Sequence, residues 1–363
     1  MTVVMLGCGG FIGSHLLDQL LARSDIRVIG WDGSTEKIQH HLGNPRLHMR
    51  HTPLDRTTLP QFDSDVAEAD WVINLAAICN PSQYNTEPLR TIHSNFIESY
   101  PIVETVNARQ KPLIHFSTSE VYGRTIASYV PESGYDKPEL YVMDADRTPM
   151  VLGSIAAQRW TYACAKQLLE RLIYAYHKEH GLRFAIIRPF NFFGPRMDYL
   201  PGIEGTGTPR VLACFIAALL RGEPLQLVDG GTALRTITSI HDAVDAVLGI
   251  LERPELALNH FYNIGCPENE LSIRELAEAA RNVYAEITGD ASYRDHPIKD
   301  VTSEEFYGEG YEDCDRRALS IEQEMRLLNW RPKRGVHAIL TETLLYYHRR
   351  YGNRRAAQRQ DVA

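Results

Sequence analysis

The chain has 363 residues, 44% of them hydrophobic and 23% charged, with 25 glycines and 19 prolines. Those values exclude a disordered, collagenous or coiled-coil chain. A length beyond the ~250–300 residues at which a single core stops growing predicts two lobes. The formal net charge of −8, with no basic block, argues against nucleic acid or an anionic membrane as partner.

The six cysteines (Cys8, Cys79, Cys164, Cys214, Cys266 and Cys314) are too widely spread for CxxC redox or close-spaced zinc motifs. They read as cytosolic thiols, most simply as small core residues. The N-terminus, MTVVMLGCGGFIG, has no basic region, and glycines break its apolar run. The longest apolar stretch, 211–220, is ten residues, about half of the ~20 that span a bilayer. The expectation is a soluble, cytoplasmic protein.

In chain order, strands are predicted at 3–6, 27–31, 46–50, 71–76, 113–117 and 184–188, with helices at 11–23, near 88–107 and at 159–180. Near-continuous apolar strands alternating with amphipathic helices predict a parallel sheet covered on both faces, a Rossmann-type doubly wound α/β fold. After 192 the pattern changes to a Gly/Pro-rich stretch, a helix near 211–221 and short mixed elements. The domain reading is a cofactor-binding lobe at 1–192, rejoined by about 229–262. A smaller α/β substrate-binding lobe spans 193–351, and a polar frayed tail 352–363.

Gly7, Gly10 and Gly13 follow the first strand and open the first helix. Glycines there allow a tight turn, close approach of backbone to a pyrophosphate, and helix–strand packing. The helix N-terminus at Phe11 and Ile12 offers free N–H groups to phosphates. Asp32 ends the second strand, where a carboxylate accepts from ribose hydroxyls and repels a 2′-phosphate. NAD is therefore predicted over NADP.

Tyr162 and Lys166 stand one turn apart on a helix. A lysine and a positive nicotinamide ring beside a tyrosine would lower the phenol's pKa and make it a base for an alcohol proton. In a chain with 18 tyrosines this spacing is a weak signal, and a second pair, Tyr174 and Lys178, repeats it. Twelve positions along a helix is a rotation of ~120°, so both cannot face one site. The first pair opens its helix nearest the carboxyl edge of the sheet and is preferred; Tyr174 reads as packing. Thr118, Ser119 and Glu120 follow the fifth strand, placed to donate to a substrate oxygen and to move protons.

Taken together, the glycine turn, 74–77 (NLAA), 117–123 (STSEVYG), the YxxxK pair and 188–191 (RPFN) resemble the extended short-chain dehydrogenase/reductase family of nucleotide-sugar enzymes. The likeness covers almost the whole chain. Within that family, 74–79 (NLAAIC), 158–166 (QRWTYACAK), 188–198 (RPFNFFGPRMD), 209–215 (PRVLACF) and 306–311 (FYGEGY) are similar to plant UDP-apiose/UDP-xylose synthases. They are less closely similar to the UDP-glucuronate decarboxylase half of the bacterial polymyxin-resistance enzyme.

The resemblance implies a lyase that decarboxylates UDP-glucuronate with tightly held NAD, forming UDP-apiose and/or UDP-xylose. Release of a UDP-4-keto-pentose, or 4-epimerisation without decarboxylation, are the alternatives. It also implies a homodimer built on the helices near 88–107 and 159–180. Residue by residue, it implies that Leu75, Ala76 and Ala77 line the cofactor and that Cys79 and Tyr84 lie near the sugar. It implies that Arg317 acts on the carboxylate end, that Arg235 holds the diphosphate, that Asn191 contacts UDP, and that Arg159 and Arg210 are site arginines. Cys79 follows the apiose-forming pattern. Ser119 stands where those enzymes carry a second cysteine and follows the pattern of ordinary decarboxylases.

Overall fold

The structure is a computed structural model. It describes every residue except Ile78, 80–83, 85, 131–133, 308–312 and 361–363, with 353–360 described by backbone alone. Seven parallel strands form one sheet: β1 (Thr2–Leu6), β2 (Arg27–Trp31), β3 (Leu47–Arg50), β4 (Trp71–Asn74), β5 (Leu113–Phe116), β6 (Phe184–Pro189) and β7 (His260–Ile264). Their spatial order is β3-β2-β1-β4-β5-β6-β7. The order reverses between β1 and β4, which opens a crevice at the carboxyl ends of those strands.

Side-chain alternation explains why the strands are so apolar. Val3, Met5, Ile73, Ile114 and Ile187 enter the core on one face. Their neighbours Val4, Leu6, Val72, Leu113 and Ile186 enter the core on the other. A strand buried on both faces has no polar period.

The helices bearing on the site are α1 (Phe11–Ala22), α2 (Leu59–Glu68), α3 (Tyr100–Ala108), α4 (Thr161–His180), α5 (Val211–Arg221), α6 (Ile240–Glu252), α7 (Ile273–Thr288) and α8 (Val336–Gln360). The strand and helix boundaries read from sequence hold to within two residues for the first six strands and for α1 and α5.

Some features differ. The helix expected near 88–107 is a short helix at Pro88–Ile92, a π-turn at His93–Ile97, and α3. Pro101 lacks the N–H a continuous helix needs and sits instead in the first turn of α3. The second is α2, which had no prediction: it buries only Phe62, Val66 and Asp65, too few positions for a helical period. Helix α8 runs by its backbone to Gln360.

After α5 the chain returns. Helix α6 packs on α1, and β7 extends the main sheet beside β6. The remaining elements form a second core around α5, α7 and α8. They also form a four-stranded sheet in the order Glu270–Ser272, Leu234–Thr236, Arg316–Leu319, Val142–Met143. A capping box between Ser272 and Glu275 starts α7. Among the described residues no helix is long and apolar enough to cross a membrane.

Candidate active site

One cavity of about 1820 Å³ runs from the turn after β1 to the second sheet. A single small-molecule pocket occupies ~300–1,000 Å³, so this one has room for two ligands side by side. Of the residues predicted from sequence, Gly7, Gly10, Phe11, Ile12, Gly13, Leu75, Ala77, Cys79, Tyr84, Thr118, Ser119, Glu120, Arg159, Tyr162, Lys166, Asn191, Arg210, Arg235 and Arg317 all line it. Asp32 and Ala76 do not. Within the quoted sequence stretches, Ile78 and residues 308–311 lie outside the described residues.

At one end, Gly7 holds a φ of +79°, which side chains disfavour. A Cβ on Gly13 would come within 2.1 Å of the Gly7 carbonyl oxygen, so α1 abuts the turn. Gly10 caps α1 without a side-chain hydrogen bond, and no acidic residue lies in the first turn. The free N–H groups of that turn are thus left to an anion. Asp32 stands behind the turn, its carboxylate accepting from Gly9 N–H and Ser34 N–H at 2.8 Å each. It fixes the loop from the second strand. The role of Gly9 was not read from sequence, although the GCGG run carries the signal.

In the middle, Tyr162 and Lys166 enter from the start of α4, both buried. The Tyr162 ring stacks on Tyr84, with centroids 4.6 Å apart and planes within 6°. Its hydroxyl lies 3.4 Å from Cys79 Sγ. The expected lowering of this phenol's pKa calls for the nicotinamide ring as well as Lys166. Burial pushes Tyr162 well above the ordinary tyrosine range, and Cys79 and Tyr84 add to it. Lys166 Nζ donates instead to the Phe116 carbonyl at 3.0 Å, and burial lowers its own pKa. The second pair is elsewhere: Lys178 lies over the Tyr174 ring, which packs on Phe184 and Phe261.

Thr118 caps the turn after β5. Its hydroxyl oxygen accepts from Glu120 N–H at 3.2 Å, which leaves the O–H proton to donate elsewhere. Ser119 is buried beside it. Glu120 accepts from Arg159 Nη1 at 2.5 Å, and the Arg159 guanidinium lies over Tyr84, 5.7 Å from the centroid.

At the far end, parallel pairing of Leu234–Thr236 with Arg316–Leu319 sets Arg235 directly opposite Arg317. Asp313 lies against both and against Arg159, at 2.8 Å from Arg235, 3.8 Å from Arg159 and 3.9 Å from Arg317. Sequence reasoning gave Asp313 no role: it has no motif spacing, and only the fold brings it to the arginines.

Arg210 is engaged differently. It pairs bidentately with Asp198 at 2.8 and 3.0 Å and donates to the Phe192 carbonyl. Asn191 takes a φ of +44° and donates to the Thr236 carbonyl. Tyr346, Tyr347 and Arg350 of α8 complete a wall that no sequence period had marked as part of the site.

The wall between 36 and 41 is joined to the segment after β6. Lys37 Nζ donates to the Met197 carbonyl at 2.8 Å, Arg196 to the Lys37 carbonyl at 3.2 Å, and His15 meets the Pro195 carbonyl at 2.8 Å. Burial lowers His15 to about 4. The ring is therefore neutral at physiological pH and donates through Nε2–H.

A phosphate cradle at the switch point of a doubly wound sheet, with a Tyr/Lys pair beside it, defines a nucleotide-cofactor enzyme. The chain belongs to the NAD dependent epimerase/dehydratase family, whose sequence profile matches residues 3–265.

Among its relatives, UDP-D-apiose/UDP-D-xylose synthase 1 of Arabidopsis thaliana is 48% identical, over 97% of this chain and 92% of that protein. The UDP-D-apiose/UDP-D-xylose synthase of Oryza sativa subsp. japonica is 46% identical, over 97% and 90%. Among solved structures, the PbgP3 protein of Burkholderia pseudomallei is 32% identical with a TM-score of 0.81, covering 98% of each chain. UDP-glucuronic acid 4-epimerase of Bacillus cereus, solved with UDP-glucuronic acid and NAD, has the same fold: TM-score 0.78, 23% identity, 97% of this chain and all of that one.

Proposed function

We propose that this protein is an NAD-dependent UDP-glucuronate decarboxylase that forms UDP-apiose and/or UDP-xylose. The observation carrying the reading is that Tyr162, Thr118 and Glu120 stand in one cavity between a glycine phosphate cradle and a cluster of three arginines. The 46–48% identity to UDP-apiose/UDP-xylose synthases over nearly the full chain supports it.

Gly7, Gly10, Gly13 and the first turn of α1 would hold the cofactor's pyrophosphate, with Leu75 and Ala77 beside it and Asp32, behind the turn, toward the ribose. Bound there, NAD would supply hydride acceptance from C4 of the sugar and its return, and a positive ring that would offset the burial raising Tyr162. Tyr162 removes the proton of the C4 hydroxyl, a step for which positioned bases supply ~10²–10⁴-fold. With a ketone at C4, the C6 carboxylate belongs to a β-keto acid and leaves as carbon dioxide, its electron pair passing to an enolate. Tyr162 and Thr118 stabilise that oxygen by hydrogen bonds. Ser119 and Glu120 return the proton at C5. Reduction of the ketone then gives UDP-xylose, whereas retro-aldol and aldol steps before reduction give UDP-apiose.

Arg235, Arg317 and Arg159 meet the anionic groups, since forked guanidinium donors match phosphate and carboxylate oxygens. Tyr84 and Asn191 bound the sugar and uridine sides, and residues 193–351 supply most of this half. The bidentate Asp198 pair assigns Arg210 to shaping the wall.

The exposed apolar side chains Leu89, Ile97 and Leu168, on neighbouring helices, support a homodimer through that face. A monomeric mass by light scattering would refute it. Six free thiols, two of them exposed, suit the reducing cytoplasm.

The test is one incubation of purified protein with UDP-glucuronate and NAD, followed by proton NMR and carbon dioxide release. UDP-apiose or UDP-xylose with stoichiometric carbon dioxide is expected. Isomerisation without gas would make the protein an epimerase, and no consumption would overturn the assignment.

A further inference from the structure

Arg235 and Arg317 face each other across a strand pair, and like charges in that relation destabilise a sheet. Their side chains are 10% and 4% exposed, and that of Arg159, the third cation, is 5% exposed. Buried charges of one sign persist only when something neutralises them. Glu120 pairs with Arg159 at 2.5 Å, and Asp313 supplies a carboxylate that lies near all three.

The match is incomplete. Asp313 makes a hydrogen bond of 2.8 Å to Arg235, while its oxygen stands 3.8–3.9 Å from Arg159 and Arg317. Arg317 Nε and Nη2 are buried with no hydrogen-bond partner among the described residues. A carboxylate has two oxygens, one of which already accepts from Cys314 N–H at 2.8 Å. It leaves the Arg317 fork unserved. Asp313 itself is one-third exposed, toward the cavity.

We infer that Asp313 is a resident counter-anion: it keeps Arg159, Arg235 and Arg317 neutralised and in place, and the anionic groups of the nucleotide-sugar exchange with it on binding. Resting on the functional reading above, this makes Asp313 a specificity-determining residue. It competes with substrate, and a ligand succeeds only if it brings more negative charge and more oxygens than one carboxylate. A neutral sugar cannot. Burial by itself would raise the carboxyl, but Arg235, Arg159 and Arg317 overcome that and hold it down at about 2, so the competitor is charged throughout the working pH range. Because Arg159 also holds Glu120, the exchange reaches the proton-moving carboxylate.

The experiment compares UDP binding by NAD-loaded wild-type enzyme and Asp313→Asn, by calorimetry at two salt concentrations. Removing the internal competitor is expected to tighten UDP binding about five- to tenfold, with a gap that narrows in high salt, and to lower KM for UDP-glucuronate in parallel. Equal or weaker UDP binding by a folded variant overturns the inference and leaves the functional reading standing. A wild-type enzyme that binds no UDP overturns both. If Asp313→Asn does not fold alone, pyrophosphate is required to restore a cooperative melting transition, since it supplies the missing charge; failure of that rescue also overturns the inference.

Discussion

Tyr162 sits between the ring of Tyr84 and the thiol of Cys79, and these contacts separate its roles. Tyr162→Phe keeps the stack and removes only the oxygen. Turnover is expected to fall about 10³-fold while bound NAD is retained, measured as carbon dioxide release against cofactor content. Cofactor loss in parallel would mean that the tyrosine is structural. Cys79→Ser replaces a thiol with a weaker acid at the same place. UDP-apiose is expected to disappear from the NMR product spectrum with UDP-xylose or the ketone retained, and an unchanged ratio would remove Cys79 from the chemistry. Most of these residues were legible in sequence because each motif is local: Tyr162 and Lys166 share one helix turn, and Thr118 and Glu120 one strand end. Asp313 was not legible. Its meaning comes from Arg235, 78 positions away, through a strand pairing that no spacing encodes.

At the scale of elements, the turn from β1 to α1 is the tightest constraint on the cofactor lobe. Gly13→Ala would drive a methyl into the Gly7 carbonyl, at 2.1 Å, and against Cys8 Cα, at 2.8 Å. Both are backbone atoms, so neither can swing aside. The expected result is a loss of about 1–3 kcal/mol of stability and of most NAD affinity, read by denaturant melts and cofactor titration. An alanine variant that binds NAD normally would show that the turn opens. The first six strands were legible because burial on both faces leaves unbroken apolar runs. Helix α2 was not, since it buries only two apolar residues, Phe62 and Val66, in the core beside β1. The seventh strand, HFYNI, was not predicted either. It carries polar residues whose partners are distant: Asn263 bonds the Met143 carbonyl and Tyr122.

For the molecule as a whole, stability should depend on pH through Glu324, which is buried and accepts from Asn263 N–H at 2.6 Å. Burial, helped by Asp144 and Asp146, raises its pKa from 4.5 to about 8. The folded state therefore holds a proton that the unfolded state releases above about 4.5, so stability is lost as pH rises from there to about 8. The size is of the order of 5 kcal/mol. Glu324→Gln, which mimics the protonated form, is expected to flatten that decline and to melt higher than wild type at pH 8.5; parallel melting curves from pH 5 to 9 would exclude the group. The change of pattern after 192 was legible, and it falls where residues begin to enter the second core. How the segment after β6 is tied to α1 and to 36–41 was not, because most of its acceptors are atoms common to every residue.

The seam at Lys37, His15 and Arg196 is built in that way. Three of its acceptors are main-chain carbonyls, of Met197, Pro195 and Lys37, and a fourth is the Asp18 carboxylate, which pairs with Arg196. A carbonyl survives any substitution of its own side chain. Position 197, buried in the second core and lining the cavity, is thus restricted by volume and not by hydrogen-bonding chemistry. Descendants of this sequence can reshape that wall, and with it the range of ligands admitted, without loosening the two halves.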